Sequence, residues 1–146
     1  MLQISTWKKC LFDLLNNLSH LHNLKIVTNN IGVFKEYQNG DAKIYCTGGL
    51  YLPQSNICVG SGAIKFIEQM RADVFFFSSQ AISNDGNVSD SSEEETALRQ
   101  VMMKNSKKKI FLCDSCKIGQ ERTFFVCGKQ DIDVILCNQP LPWKKE

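Results

Sequence analysis

The feature that most constrains the fold is an apolar run at residues 72–77, Ala-Asp-Val-Phe-Phe-Phe. A central strand of a parallel sheet is covered by helices on both faces, so it reads as an apolar run and not as an alternation of apolar and polar residues. Along the whole chain, strand-like patterns alternate with helix-like patterns. This alternation predicts a three-layer α/β fold with a parallel or mostly parallel sheet.

The individual elements are predicted from apolar periodicity and from turn residues. Predicted helices cover 7–18, the residues from about 31 to 38, a segment starting near 62, and a segment starting near 92. Predicted strands cover 23–28, 43–46, 72–77, 110–112, 123–127 and 133–137, with 50–52 and 57–59 as a hairpin and 1–4 as the remnant of a first strand.

The composition fits one ordinary globular domain. The chain has 146 residues, of which 43% are hydrophobic and 22% charged, with a net charge of +2. This length suits a single core, and the short lysine runs at 107–109 and 144–145 are typical of solvated faces. No apolar run approaches the roughly 20 residues of a membrane span, and the N-terminus lacks a signal-peptide pattern. We therefore expect a cytoplasmic protein without membrane contact.

The chain has seven cysteines, and Cys113 and Cys116 form a CxxC pattern. Such a pair is typical of half a zinc site or of a redox couple. A zinc site needs four ligands, and no second CxxC or CxxH is present to complete one. A redox pair more often opens a helix than closes a strand. The favoured interpretation is structural, with free cysteines packed as small hydrophobes, so we expect no metal and no cofactor.

A helix is predicted to begin at Ser91 or Ser92, because each serine stands three residues before a glutamate, the spacing of a capping box. Glu95 lies three and seven residues before Leu98 and Met102, so it borders the apolar side of this helix. A carboxylate in that position requires a partner. The sequence therefore marks Glu95 as a candidate functional residue.

Polar residues and glycines recur where the predicted strands end and the helices start. Asp114 and Lys117 follow the strand at 110–112. Ligands of open α/β sheets bind beyond the carboxyl ends of the strands, where glycines permit close approach and helix N-termini favour phosphate. Each of these residues has a structural interpretation when taken singly. Their common location predicts one polar site, made of Thr28, Asn29, Gly48, Gly49, Gly86, Glu95, Asp114 and Lys117.

Several of these segments together resemble a known family. The runs that carry the resemblance are Val27-Thr-Asn, Thr47-Gly-Gly, Val59-Gly60, 72–77, 86–97, Met102 and 112–119. In this order and separation they are similar to the C-terminal effector-sensing domain of DeoR-family transcriptional regulators of sugar metabolism, over about residues 11–136. The resemblance implies a Rossmann-like fold related to ribose-5-phosphate isomerase and glucosamine-6-phosphate deaminase. It also implies that the predicted site binds a phosphorylated sugar.

Two positions depart from the family pattern. The family usually has an acidic residue and a small-Thr-Thr phosphate loop after its first strand, where this chain has Ser5 and then Trp7-Lys8-Lys9. Thr6, Lys8 and Lys9 are possible phosphate contacts there, and two solvated lysines are the alternative. Ala81 also replaces a glycine that is common after the long apolar strand.

The resemblance implies that the chain is a ligand-sensing module of a transcriptional regulator that acts as a repressor, and that it is not an enzyme. In that family a winged helix-turn-helix lies on the N-terminal side. No such pattern is present in these residues, so we take the chain to be one sensing domain of a longer protein, with a natural short form as the alternative. Operator DNA is then a partner only through a domain outside this chain, and a homo-oligomer is expected.

Two other functions stay open at this point. One is a sugar-phosphate isomerase or deaminase in which Glu95 is the base and Lys117 stabilises an enediolate, since these are the residue types that such proton transfer needs. The other is an oligomerisation scaffold that has lost its ligand, for which the unusual Trp7-Lys8-Lys9 segment is the supporting feature.

Overall fold

The computed structural model describes residues 1–5, 8–18, 20–37 and 41–143, except for the side chains of 5 and 8–12. The helices are α1 Lys8–Leu18, α2 Val33–Glu36, α3 Ser61–Glu68 and α4 Glu93–Lys104. The strands are β1 Leu2–Ser5, β2 Lys25–Thr28, β3 Lys43–Cys46, β4 Leu50–Leu52, β5 Ile57–Val59, β6 Ala72–Phe77, β7 Ala81–Ile82, β8 Asn87–Asp90, β9 Ser106–Cys113, β10 Phe124–Gly128 and β11 Val134–Cys137.

Six of the strands form one parallel sheet in the order β11-β9-β6-β1-β2-β3. The predicted apolar strand β6 lies inside it, between β9 and β1. The segment interpreted as a strand remnant, β1, is also an interior strand that pairs with both β2 and β6. Because all six strands run in the same direction, their carboxyl ends lie at one edge of the sheet, which is the edge predicted to carry the site.

Helices cover the two faces of this sheet. Successive residues of a strand point to opposite faces, and in β2 Ile26 packs with Leu15 of α1 and Val33 of α2, whereas Val27 belongs to the cluster formed with α3 and α4. The second cluster is built around aromatic rings of β6 and β9; those of Phe75 and Phe77 stack with centroids 5.0 Å apart. The three-layer α/β prediction is confirmed.

The structure also has two small antiparallel sheets. One is the predicted hairpin of β4 and β5. The other, β10-β8-β7, was not predicted as a sheet. Its strand β8, Asn-Val-Ser-Asp, was not predicted, and only Val88 in it is apolar. The predicted strand at 123–127 pairs here with β8 and not with the parallel sheet. The helix predicted to about residue 38 is a single turn, Val33–Glu36.

Candidate functional site

The start of α4 is fixed by two side chains. Ser92 is the N-cap, and its hydroxyl accepts a hydrogen bond from the Glu95 N–H over 3.2 Å. The backbone N–H of Ser92 donates to Asp90 Oδ1 over 3.2 Å. In a complete capping box the glutamate would accept that second bond. Here Asp90 takes its place, so the Glu95 carboxylate is available for another contact.

The partner of Glu95 is Arg99, one helical turn further along α4. Arg99 donates from Nη2 to Glu95 Oε2 over 2.6 Å and from Nη1 to Asp90 Oδ2 over 2.8 Å. The side chain of Arg99 is 3% exposed, that of Asp90 0% and that of Glu95 12%. Glu95 is therefore the most exposed member of this ion cluster. Arg99 and Asp90 were not predicted as site residues, although the i,i+4 spacing of Glu95 and Arg99 is a signal for an ion pair on a helix.

The surroundings of Glu95 shift its titration. Burial raises the pKa of the Glu95 carboxyl above its ordinary value, and the negative charge of Asp90 raises it further. The Arg99 guanidinium opposes both effects. All of these causes act on the charged form of one carboxylate, so the ionisation of Glu95 depends on the balance between its burial and its charged neighbours.

Two serines at the end of β6 connect the ion cluster with the loop after β9. The Ser79 hydroxyl lies 2.9 Å from Asp90 Oδ2 and 2.8 Å from the Ser89 carbonyl oxygen. The preceding residue, Ser78, accepts a hydrogen bond from Lys117 Nζ over 2.8 Å. Two candidate residues that are far apart in the sequence, Glu95 and Lys117, are thus linked to adjacent residues of one strand end.

The loop that carries Lys117 is held by its own polar contacts. Asp114 Oδ1 accepts a hydrogen bond from the Cys116 N–H over 3.1 Å, which caps the 3₁₀ turn Ser115–Lys117. The N–H of Gly119 donates to the Ile82 carbonyl over 2.8 Å, which docks the loop on β7. The structure therefore gives Asp114 a role in shaping the loop, while Lys117 projects from the loop to β6.

The two cysteines of the CxxC pattern have different surroundings. Cys113 is buried at the end of β9, opposite Cys137 of β11. Burial and the neighbouring Cys137 raise the pKa of the Cys113 thiol to about 12. Cys116 is exposed. Within the described ranges, no three His, Cys, Asp or Glu side chains are grouped as they would be around a metal ion.

Thr28 and Asn29, at the end of β2, are both buried and differ in how their polar atoms are used. The Thr28 hydroxyl donates to the Ile4 carbonyl over 2.9 Å and accepts from the Asn30 N–H over 3.0 Å, so it serves the backbone. Asn29 donates from Nδ2 to the Cys58 carbonyl over 3.1 Å. Its Oδ1 is buried and has no hydrogen-bond partner among the described residues. A buried acceptor of this kind is rare and suits a ligand donor.

The two glycines after β3 are required for different reasons. Both have positive φ, +64° at Gly48 and +104° at Gly49. A Cβ on Gly49 would lie 2.5 Å from the Val59 carbonyl oxygen and 3.1 Å from the Ala63 nitrogen, so Gly49 allows the turn to pack on the start of α3. A Cβ on Gly48 would meet nothing within 4 Å. The turn is thus packed at Gly49 and open at Gly48.

Gly86 is not brought to the other candidates. It lies in the turn between β7 and β8 with φ +90°, and a Cβ there would come within 2.6 Å of the Lys129 side chain. Gly86 precedes β8, whose last residue is Asp90 in the ion cluster. The four residues of this strand place Gly86 about 13 Å from Asp90, at 3.3 Å per residue. The structure supplies a packing reason for this glycine, and its role in ligand binding stays a prediction.

The proposed phosphate contacts after β1 are not tested by the structure. Thr6 lies outside the described residues. Lys8 and Lys9 belong to the first turn of α1, but their side chains also lie outside what the structure describes. A contact between these three residues and a phosphate stays a prediction.

The remaining candidates lie on elements that pack against one another. Asn29 is bonded to β5, Gly49 contacts β5 and α3, and α4 packs on both of these elements. Glu95 and Lys117 are joined to this region through α4 and β6. A Rossmann-like domain with groups of both charges at the carboxyl ends of its parallel strands has the architecture of a small-molecule-binding α/β domain.

Comparison with known proteins agrees with this class. The family model described as the DeoR C terminal sensor domain matches residues 2–139. The chain belongs to this family. It is 27% identical over 128 residues to the uncharacterized HTH-type transcriptional regulator YgbI of Escherichia coli (strain K12), which covers 86% of this chain and 49% of that protein.

Two further relatives are also regulators. An uncharacterized HTH-type transcriptional regulator of Haemophilus influenzae is 26% identical over 132 residues, or 89% of this chain and 51% of that protein. The lactose phosphotransferase system repressor of Staphylococcus aureus (strain N315) is 31% identical over 118 residues, which cover 79% of this chain and 47% of that protein. The chain spans about half the length of these curated relatives. The matched family is a sensor family and the relatives are regulators, so the domain is a sensor and not an enzyme, as predicted.

No helix in the described part of the chain is long and apolar enough to cross a membrane.

Proposed function

We propose that this domain senses a phosphorylated sugar, which binds at the carboxyl ends of β2, β3, β6 and β9. Binding modulates the affinity for operator DNA of a DNA-binding segment in the longer protein, which acts as a repressor. The observation that carries the proposal lies at one strand end. Lys117 donates to Ser78 there, and Glu95 is connected to the adjacent Ser79 through Arg99 and Asp90. A cation and a carboxylate at the same edge suit a ligand with a phosphate at one end and hydroxyl groups at the other.

The charges around the two cations support this orientation of the ligand. Arg99 contacts two carboxylates, so its charge is already compensated. Lys117 donates to a neutral hydroxyl, so this hydrogen bond brings no negative charge to the lysine. An incoming phosphate is therefore stabilised more by a charge-assisted hydrogen bond from Lys117 than by one from Arg99. Sugar hydroxyls would meet Glu95 and the free acceptor oxygen of Asn29.

The relatives support the regulatory part of the proposal. Several are named lactose phosphotransferase system repressors, and others HTH-type transcriptional regulators. A sensor of this kind acts by binding its effector more tightly in one of two states of the protein. We propose that the two states differ in how the domains of a homo-oligomer are arranged, since regulators that read operators commonly assemble symmetrically.

The proposal is tested by thermal unfolding of the domain in a ligand panel. Ribose 5-phosphate, glucosamine 6-phosphate and galactose 6-phosphate are compared with the three free sugars and with inorganic phosphate. At least one sugar phosphate is expected to raise the melting temperature, whereas its free sugar is not. A ligand at 100 times its Kd stabilises the folded state by about 2.7 kcal/mol, which such an experiment resolves.

Two lysine variants localise the effect. Lys117→Ala is expected to weaken sugar-phosphate binding about tenfold or more, because a hydrogen bond to a charged group is lost. Lys108→Ala removes an exposed lysine of β9, the strand that precedes the loop of Lys117. It is the matched control and should leave binding unchanged. If no phosphate in a broad panel stabilises the domain, the ligand-free scaffold is the better interpretation. If a sugar phosphate is converted and Glu95→Gln abolishes the conversion, the sensor-only function is wrong.

A further inference from the structure

Asp90 and Glu95 share one cation, and this arrangement is more elaborate than helix capping requires. Asp90 Oδ2 accepts from Arg99 Nη1 over 2.8 Å and lies 2.9 Å from the Ser79 hydroxyl, and Asp90 Oδ1 accepts from the Ser92 N–H. Arg99 Nη2 then reaches Glu95 Oε2 over 2.6 Å. The guanidinium is thus anchored at its inner end on a carboxylate that two further donors, Ser79 and Ser92, also hold. Its outer end holds Glu95, the more exposed of the two carboxylates.

The second oxygen of Glu95 is left for another donor. Glu95 Oε2 is taken by Arg99, while no hydrogen bond to Oε1 is made by the described residues. Arg99 presents a planar, rigid set of donors, so the contact fixes the direction of the carboxylate as well as its charge. An anchored Arg99 therefore holds the Glu95 carboxylate in place at the first turn of α4 and leaves Oε1 as an acceptor for another donor.

We propose that Arg99, anchored on Asp90, is a positioning residue of the effector site, which holds Glu95 ionised and oriented to accept hydrogen bonds from the hydroxyl groups of the effector. This inference rests on the proposed function, because it assigns a role within the same site. Each of the three charged residues then has a different role. Glu95 contacts the effector, Arg99 orients Glu95, and Asp90 holds Arg99 and works against the ionisation of Glu95.

The charged groups that act on the Glu95 carboxyl are Arg99 and Glu94 of α4 and Asp90 of β8. The other elements packed on α4 contribute apolar side chains to the cluster around Leu98 and Met102, including those of Ile67, Phe77 and Phe111. The Arg99 guanidinium lowers the pKa of Glu95, whereas the Asp90 carboxylate raises it. Substitutions of Asp90 and of Arg99 are therefore expected to shift the pKa of Glu95 in opposite directions.

Asp90→Asn removes the repelling charge and keeps Arg99 for Glu95, so the midpoint of the Glu95 titration should move to lower pH. Arg99→Gln removes the attracting charge, so the midpoint should move to higher pH, by about one unit, at the lower end of what a neighbouring charge produces. A purely structural role predicts loss of stability in both variants and no opposed shift. The midpoint is read from the ¹³C carboxyl resonance of Glu95 without any ligand.

The same variants are then titrated with ribose 5-phosphate, glucosamine 6-phosphate and galactose 6-phosphate. Arg99→Gln should weaken the binding of a sugar phosphate about tenfold at neutral pH, because the accepting carboxylate is no longer held. Arg99→Lys should restore the titration midpoint more than the affinity, since a lysine supplies the charge without the two-pronged geometry. Affinity should fall as the pH drops through the Glu95 midpoint of each variant.

Removal of Arg99 alone leaves Asp90 buried without a counter-charge, which is strongly destabilising. The double variant Asp90→Asn/Arg99→Gln contains neither charge and is measured beside it. Its midpoint should lie above that of the wild type, because the influence of Arg99 exceeds that of Asp90. Equal midpoints in all variants, or unchanged affinity in Arg99→Gln and in the double variant, overturn the proposal while leaving sugar-phosphate sensing intact. Absence of sugar-phosphate binding to the wild type overturns both.

Discussion

Lys117 donates a hydrogen bond from Nζ to the Ser78 hydroxyl over 2.8 Å, across 39 residues of sequence. The contact ties the loop after β9 to the end of β6. Since Ser78 is fully buried and Lys117 is only partly exposed, the lysine is held at the strand ends and does not extend freely into solvent. A cation placed in this way is preorganised for an anion, which reduces the entropy lost on binding.

Ser78→Ala should destabilise the domain by about 1 kcal/mol, the usual net contribution of one hydrogen bond. It should also weaken sugar-phosphate binding by less than Lys117→Ala does, because the cation stays and only its anchor is lost. Urea unfolding gives the first quantity and calorimetric titration the second. Ser91→Ala, which removes an exposed hydroxyl bonded to Gln80, is the control and should change neither. A larger effect on affinity in Ser78→Ala than in Lys117→Ala would contradict the assignment.

Glu95 should make stability depend on pH. Its pKa is raised in the folded state, chiefly by burial, so between the ordinary value of 4.5 and the folded value the native protein binds more protons than the unfolded chain. Stability is then lost as the pH rises through this window. Glu95→Gln removes this loss, so its free energy of unfolding should improve relative to the wild type as the pH rises from below 4.5 to neutrality.

This comparison is made by urea unfolding at a series of pH values. Glu94→Gln, which changes an exposed carboxylate one residue away, is the control and should show a smaller pH dependence relative to the wild type. A wild-type stability that rose relative to Glu95→Gln over the same window would show that the pairing with Arg99 outweighs burial.

The two glycines after β3 should respond differently to alanine. Gly49→Ala places a Cβ 2.5 Å from the Val59 carbonyl oxygen at a φ of +104°, so the loss of stability should be about 3 kcal/mol or more. Gly48→Ala meets open space and has only the unfavourable φ of +64°, which costs about 1–2 kcal/mol. Chemical unfolding of both variants measures the difference. Equal losses would mean that the turn does not pack on α3 as described.

Cysteine reactivity should report the geometry of the Asp114 loop. Cys116 is exposed, and the hydrogen bond and charge of Asp114 raise the pKa of its thiol. Asp114→Asn should therefore accelerate alkylation of Cys116 near pH 8, because the thiolate fraction increases. The buried Cys113 and Cys127, whose pKa values are raised to about 12, should react slowly in both proteins. Mass spectrometry of the alkylated peptides measures each rate. An unchanged Cys116 rate would place Asp114 away from the thiol.

Local sequence patterns predicted the main architecture because they carry direct physical signals. The apolar run of β6 and the apolar period of α4 identify elements buried against the sheet. The parallel sheet then follows, and with it the edge at which Asn29, Glu95 and Lys117 lie. The small sheet of β7, β8 and β10 was missed because a strand such as Asn-Val-Ser-Asp has no strong period, and its pairing is decided by tertiary packing.

The ion cluster was missed for a related reason. The serine and glutamate spacing predicted a capping box, and the structure confirms Ser92 as the cap. Whether the glutamate completes that box depends on Asp90, whose position is set by the pairing of β8 and not by the helix. Arg99 was not predicted as part of the site because the contact that anchors it, with Asp90, joins residues nine positions apart on different elements. The lack of room for a side chain at Gly86 likewise comes from Lys129, a residue that no local sequence pattern connects with it.

The most direct test of the central claim is a two-dimensional ¹H–¹⁵N NMR titration of the domain with a sugar phosphate that stabilises it. If the strand ends form one effector site, the amide resonances of Asn29, Gly48, Gly49, Glu95 and Lys117 should shift together with a single Kd. That of Cys127 should not shift. Perturbations confined to other parts of the domain, or separate binding curves for Glu95 and Lys117, would contradict a single site at this edge of the sheet.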